Sequence, residues 1–253
     1  MIRLARRLAG AARGETMPRF RVGGAVEDKG HAGWFDPVTE ADREAERAMR
    51  ALLEQDYPDH GVSGEEFPER PARGPFGWSL DPVDGTRSFI CGLPTWTTLI
   101  GLLEQGRPVL GVIDAPALDE LTMGWGGEAR LISSRGERGL RVSGCTTLAE
   151  ARLSTTDPAM FADTPGFADL AGQVRTIRYG HDGYAYARLA AGGLDLVVEQ
   201  GLKTYDYQAL IPVVRGAGGV IADWQGGDDY EGGQVIAAST PELFEEARTV
   251  MVG

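Results

Sequence analysis

The chain has 253 residues, 25 Lys plus Arg against 37 Asp plus Glu, a formal net charge of −12, 42% hydrophobic residues and 25% charged residues. Such values describe an ordinary globular protein rather than a disordered one, and the length suits one large domain or two intimate lobes. The acidity excludes nucleic acid as an expected partner, because no basic field displaces counterions from phosphates, and no apolar run approaches the roughly 18 residues of a membrane span.

Residues 1–13 read as an amphipathic helix, with Arg3, Arg6, Arg7 and Arg13 set against Ile2, Leu4 and Leu8. We read it as a structural helix rather than a targeting segment, since its apolar run is short and no small-residue cleavage site follows. Residues 21–36 are polar and Gly-rich, a loop or irregular hairpin that carries Lys29 and His31. The segment Asp36-Pro37-Val38-Thr39-Glu40-Ala41-Asp42 then opens a helix through Gln55. Thr39 and Asp42 resemble a capping box with Asp in the Glu position, and Ala45, Ala48, Met49, Leu52 and Leu53 form the apolar stripe.

Gly61–Gly64 leads into Glu65-Glu66, and Trp78-Ser79-Leu80 reads as a short strand ending in Asp81-Pro82-Val83-Asp84-Gly85-Thr86. Strands over 97–104 and 108–114 flank Gln105-Gly106-Arg107, a hairpin signal, and a further pair occupies 119–132. From Arg135 onward, strands are expected at 152–155, 174–179, 195–199 and 218–223, and helices at 165–173, 184–191, 205–216 and 241–252. The alternation has no strict βαβ rhythm, which points to a mixed α/β layered architecture. The 36 glycines, about twice the usual share, imply tight connections and backbone close to a ligand. Cys91 and Cys145 form no CxxC pair, which suits a cytoplasmic protein with two buried thiols.

The chemistry concentrates in Asp81-Pro82-Val83-Asp84-Gly85. Pro82 stiffens the turn and Gly85 permits a positive φ and close approach to a ligand. Two carboxylates aimed the same way at about 4 Å repel by roughly 4 kcal/mol at an effective dielectric of about 20. A proton, a lysine or a hard divalent cation must offset that, and an all-oxygen set favours Mg²⁺, Mn²⁺ or Ca²⁺ over Zn²⁺. A helix starting at Gly85-Thr86 would aim free amides at an anion. The bland reading is an Asp-Pro turn with solvated acids. His31 and His60 have no HExxH or triad spacing, so zinc hydrolysis and Ser-His-Asp chemistry find no support.

This stretch resembles the second signature of the inositol monophosphatase superfamily of Mg²⁺-dependent, lithium-sensitive phosphatases. Three other segments match in order: Asp36–Asp42, Gly64-Glu65-Glu66 and Tyr205-Asp206. Arg87-Ser88-Phe89-Ile90, Asp182-Gly183-Tyr184-Ala185-Tyr186 and Gly201-Leu202-Lys203-Thr204-Tyr205-Asp206 resemble the histidinol-phosphatase branch most. The resemblance implies a layered α/β/α/β/α sandwich of the inositol monophosphatase and fructose-1,6-bisphosphatase type with mixed sheets. It implies a homodimer in which the whole chain is one catalytic unit, with a metal-binding lobe at 1–133 and a substrate lobe at 134–253. It also implies two or three Mg²⁺ per site, with Mn²⁺ as a substitute and Li⁺ as an inhibitor. Glu65, Asp81 and the Val83 carbonyl would hold one ion, Asp81, Asp84 and Asp206 a second, and Glu65 would lean on a third. Thr86 would orient the attacking water with Asp42 receiving a proton, and the amides of Gly85 and Thr86 would bind phosphate.

Other readings stand beside these roles. Asp42 and Asp206 also suit helix starts, where acids complement the dipole, Glu65 and Glu66 suit a solvated loop, and Lys29 suits either the phosphate or water. Asp182 and Glu199 would flank the leaving group, where the superfamily's sugar-alcohol phosphatases carry a small Gly-Ser-Ala run. Added acids suit a cationic substrate such as histidinol phosphate, while Asp182 could instead cap its helix. Arg87 is placed with the substrate contacts. The expected function is Mg²⁺-dependent hydrolysis of a small phosphorylated substrate, histidinol phosphate in histidine biosynthesis. The alternatives are an inositol-1-monophosphatase, a broader sugar or nucleotide phosphatase, or a non-catalytic scaffold.

Overall fold

The computed structural model describes residues 1–23, 25–28 and 37–253. In chain order the elements are α1 (Ile2–Thr16), β1 (Val26–Asp28), β2 (Pro37–Thr39), α2 (Glu40–Asp56), β3 (Gly61–Gly64), β4 (Phe76–Asp84), α3 (Thr86–Ile90), β5 (Thr97–Glu104), β6 (Arg107–Ala115), β7 (Glu120–Trp125), β8 (Glu128–Ser133) and β9 (Gly136–Gly139). Then follow β10 (Arg152–Thr155), α4 (Pro165–Gln173), β11 (Thr176–Tyr179), α5 (Asp182–Ala190), β12 (Leu196–Glu199), α6 (Thr204–Tyr207), α7 (Leu210–Gly216), β13 (Val220–Ala222), β14 (Val235–Ala238) and α8 (Pro241–Val252).

Two large sheets organise the chain. One runs β3 to β9 in sequence order, with β3 parallel to β4 and every later pair antiparallel. The other has the order β11-β10-β12-β14-β13, parallel through β11, β10 and β12 and antiparallel beyond. Helices cover both sheets. Leu4, Leu8 and Ala12 of α1 join Met49 and Leu53 of α2 against Trp78, Leu80, Ile100 and Val112 of the first sheet. Between the sheets, Tyr186 and Leu189 of α5 and Leu210, Val213 and Val214 of α7 pack against Leu99 and Ile113 on one side and Val197 and Ala237 on the other. Phe167 and Leu170 of α4 and Leu243 and Phe244 of α8 cover the far face of the second sheet through Leu153, Leu196 and Ile236. The layers therefore read α/β/α/β/α with mixed sheets. Burial on both faces explains why Thr97–Leu102 of β5 is an unbroken buried run rather than an alternating one.

Three glycines set how closely the middle helices approach. Gly101, Gly111 and Gly124 stand in register across β5, β6 and β7. A Cβ on Gly111 would collide with the Ala209 carbonyl, and one on Gly124 with the backbone of Pro212 and Val213. The glycine row thus lets the backbone of the α6–α7 junction rest on the sheet, which seats α6 beside the end of β4.

Departures from the expected elements have local causes. The helix expected over 205–216 is two, α6 and α7, interrupted at Gln208 and Ala209, where the chain meets that glycine row. Gly61–Gly64 is a parallel edge strand, and Pro37–Thr39 is a strand pairing β1, so α2 starts at Glu40. Two short strands escaped the pattern: β9, which extends the first sheet past residue 135, and β14, which lies between β12 and β13. On α2, Ala48 and Leu52 are only half-buried while Glu46 is fully buried. Among the described residues no helix is long and apolar enough to cross a membrane.

Candidate active site

The register of β4 slips against β5 where the acids lie: Asp81 pairs Leu99, but Asp84 pairs Thr97. A bulge of this kind bends a strand and re-aims its side chains. The Val83 amide donates to Asp81 Oδ1 at 3.1 Å, and Thr98 Oγ1 donates to the Pro82 carbonyl at 2.8 Å. Gly85 follows with φ 79°, a left-handed conformation suited to glycine, and α3 begins at Thr86. Beneath the turn, Phe20, Phe89 and Trp96 pack with Val83, the Phe89 and Trp96 rings edge to face at 5.0 Å.

The other acids arrive from distant elements. The Glu65 amide donates to the Leu80 carbonyl at 3.3 Å, tying its turn to β4. Asp42 sits in the first turn of α2, and its Oδ2 accepts from the Thr39 amide at 2.9 Å and the Thr39 hydroxyl at 2.6 Å, so the capping box is real. Its second oxygen faces Thr86 Oγ1 at 3.4 Å, and that hydroxyl also donates to the Val83 carbonyl at 3.0 Å. Asp206 on α6 accepts from the Lys203 amide at 2.6 Å and shares a hydrogen bond with Asp81. Cap and site position thus coincide at both Asp42 and Asp206.

A cavity of about 390 Å³ lies over this turn. It is lined by Glu65, Asp81, Val83, Asp84, Gly85, Thr86 and Arg87, and by Asp206 of α6. Asp182, Gly183 and Tyr186 of α5, Glu199 at the end of β12, Thr156, and the apolar side chains of Met160, Leu202 and Leu210 also line it. Asp42 stands behind Thr86 and does not line the cavity. Arg87 forms an ion pair with Asp157 at 3.5 Å. Lys29 lies outside the described residues. The N-cap of α5 is His181, and Asp182 is the first residue of the helix, hydrogen-bonded to Thr156; it sits at φ 45° with its carboxylate against Gly85, where a Cβ would come within 2.9 Å of Asp182 Oδ2. A non-glycine residue held in that region is strained, a feature that clusters at functional sites.

Electrostatics follow from burial. Burial holds Asp81 well above the usual carboxylate range, and Glu65, Asp84 and Asp206 push it further. Asp84 is raised likewise, by burial and then by Asp182 and Asp206, against hydrogen bonds from Thr97 Oγ1 at 2.8 Å and the Gly183 amide at 2.7 Å. Burial lifts Asp42 to about 6 and Glu199 to about 8, the latter also raised by Asp182. Protons therefore offset much of the repulsion in this cluster when no cation is bound, with Lys203 acting on Asp206 and Arg87 on Asp182. Among the described residues no three acidic, histidine or cysteine side chains already stand in coordination spacing; the acids ring one cavity instead. Its donor set is carboxylates and a carbonyl, with no imidazole or thiolate, so the residues present fit a hard divalent cation such as Mg²⁺ or Mn²⁺.

Three supporting groups escaped the sequence reading. Glu46, fully buried on α2, accepts from the Glu66 amide at 2.8 Å and Arg50 Nε at 2.7 Å, and Arg50 NH2 donates to the Phe67 carbonyl at 3.0 Å. Together they clamp the turn that carries Glu65. Thr155 and Thr156 hold Glu199: its Oε1 accepts from the Thr156 amide at 2.8 Å, and its Oε2 from Thr155 Oγ1 at 3.3 Å. Tyr186, named in the sequence only within the Asp182–Tyr186 stretch, also lines the cavity. A charged residue inside the apolar stripe of α2 was the one available signal for Glu46.

Comparison with known proteins agrees with this geometry. The family model described as the inositol monophosphatase family matches residues 1–251. The chain is 36% identical to histidinol-phosphatase of Mycobacterium tuberculosis, over 92% of this chain and 91% of that protein. It is 44% identical to the chloroplastic bifunctional phosphatase IMPL2 of Arabidopsis thaliana over 76% of this chain, a match spanning 56% of that protein's own length. A solved inositol monophosphatase from Zymomonas mobilis superposes with a TM-score of 0.86 at 41% identity, covering 99% of this chain and 96% of that one. A whole-length family match, the shared fold and an acid-ringed cavity at the end of β4 agree: the chain belongs to the inositol monophosphatase family.

Proposed function

We propose that this phosphomonoesterase hydrolyses histidinol phosphate, with divalent cations held by Glu65, Asp81, Asp84, Asp206 and the Val83 carbonyl. The observation that carries the reading is one cavity lined by these acids together with Asp182 and Glu199. When bound, Mg²⁺ would supply charge neutralisation for the phosphoryl group and a more acidic water. The chain does the rest. Thr86 Oγ1 orients the attacking water, and Asp42 behind it takes up the proton through that hydroxyl. The amides of Gly85 and Thr86 at the start of α3 face the phosphate oxygens. Arg87 adds positive charge at the rim.

Asp182 and Glu199 support a cationic leaving group. Glu199 is buried, raised to about 8 and therefore largely protonated at neutral pH; a bound ammonium beside it favours the ionised form. Met160, Leu202 and Leu210 give a ring an apolar surface. The likeness to a histidinol-phosphatase over nine-tenths of both chains supports the same choice.

The test is phosphate release from histidinol phosphate, inositol-1-phosphate, fructose-1,6-bisphosphate and adenosine 3′,5′-bisphosphate, with and without Mg²⁺. We expect kcat/KM for histidinol phosphate to exceed the others by roughly tenfold or more. Preference for inositol-1-phosphate contradicts the substrate and leaves the phosphatase chemistry intact. Because Asp42 acts ionised and burial raises it to about 6, activity should be lost as pH falls through about 6. Glu46→Gln should raise the Mg²⁺ concentration for half-maximal activity by about tenfold, since it loosens the Glu65 turn without touching the cavity. An unchanged Mg²⁺ titration in that variant removes Glu46 from the positioning role.

A further inference from the structure

Among the described residues, five buried side-chain polar atoms lack any hydrogen-bond partner: Arg70 Nε, Ser79 Oγ, Trp96 Nε1, Trp224 Nε1 and the Tyr186 hydroxyl. Of these residues only Tyr186 lines the cavity. It is 1% exposed, and its ring is held in the core between the sheets. A buried hydroxyl without a partner is costly, and a core phenylalanine would fill the same space at no such cost. Its retention in the lining of a ligand cavity points to a partner that arrives with the ligand.

Position decides which part of the ligand that is. Tyr186 stands four residues after Asp182 on α5, so the two share a helix face. Both line the cavity together with Glu199, whose charge acts on the Tyr186 phenol ahead of those of Asp84 and Asp206. The hydroxyl therefore belongs with the leaving-group end of the cavity.

We propose that Tyr186 is a specificity-determining residue whose hydroxyl hydrogen-bonds the nitrogen-bearing leaving group of the substrate, completing with Asp182 and Glu199 a subsite for amino-alcohol phosphates. This rests on the histidinol phosphate reading above. The contact is one polar atom, so Tyr186→Phe, which deletes that atom and nothing else, isolates it.

The experiment is steady-state kinetics of the full chain and of Tyr186→Phe, with Mg²⁺, on histidinol phosphate and on glycerol-2-phosphate, whose leaving group has no nitrogen, together with thermal unfolding of both proteins. For the amino-alcohol phosphate, KM should rise about tenfold or more, the loss typical of one hydrogen bond to a charged group. KM for glycerol-2-phosphate should stay within about twofold, and the unfolding midpoint should be unchanged or higher, because a buried unpaired hydroxyl has gone. If the wild-type protein cleaves histidinol phosphate and the variant keeps its KM, the role of Tyr186 is refuted while the substrate reading stands. A lowered midpoint with both substrates equally impaired shows a structural hydroxyl and also refutes it. A wild-type protein inactive on histidinol phosphate overturns the substrate reading, and the Tyr186 proposal falls with it.

Discussion

Asp84→Asn is expected to lower phosphate release by more than about 100-fold, because changes one step removed from a metal already cost about 10–100-fold and this one removes a proposed ligand. The fold should survive. Asn retains an oxygen to accept from Thr97 Oγ1 or the Gly183 amide, the two groups that now meet Asp84 Oδ2. Stability should move the other way. A carboxyl raised above its unfolded value takes up a proton on folding, so it weakens the fold increasingly as pH rises above its ordinary pKa. Asparagine removes that cost. In metal-free protein the unfolding midpoint of the variant should exceed wild type by roughly 3–6 °C at neutral pH, and the gap should close toward pH 4. Activity assays and scanning calorimetry check both halves. Near-normal turnover excludes Asp84 from the cation site, and a lower midpoint in the variant contradicts the account of a strained acid cluster.

Gly111→Ala should give a large loss of stability. The new Cβ would overlap the Ala209 carbonyl, a backbone atom that cannot step aside as a flexible side chain would. Overpacking of this kind costs about 1–3 kcal/mol, and a backbone clash belongs at the upper end, so the midpoint should fall by roughly 5–10 °C. The displaced segment leads directly from Asp206 on α6, so activity and Mg²⁺ affinity should fall with it. A variant as stable as wild type would show that the α6–α7 junction does not rest on the glycine row. The control is Gly106→Ala at the β5–β6 turn: its Cβ meets nothing within 4 Å, and its cost comes only from the positive φ of 79°.

Much of the fold was legible because its signals are local. The β5–β6 hairpin shows itself by two apolar runs around Gln105-Gly106-Arg107, and α2 by a capping box that the structure repeats bond for bond. What stayed hidden depends on partners distant in sequence. β14 is four residues long, and only pairing with β12 and β13 on both sides makes it central. The break between α6 and α7 is invisible to helical periodicity, because contact with glycines on three other strands imposes it. The same distinction holds at the site. Asp81 and Asp84 announce themselves through Pro82 and Gly85 beside them, and Glu65, Asp206, Asp182 and Glu199 do reach the same cavity. Thr155 and Thr156 hold an acid supplied by another segment, and nothing in their own neighbourhood marks them; Glu46, which holds the Glu66 amide, shows only as a charge inside an apolar stripe. The Tyr186 ring lies in the core and its hydroxyl has no partner there, a difference that no local pattern carries.

The most direct measurement is anomalous diffraction from crystals of the protein soaked in MnCl₂, recorded near the manganese edge. The account predicts density peaks in the cavity, bounded by the carboxylates of Glu65, Asp81, Asp84 and Asp206, and their loss beside residue 84 in crystals of Asp84→Asn. Manganese bound only elsewhere on the surface, with those four side chains turned from one another, would contradict it.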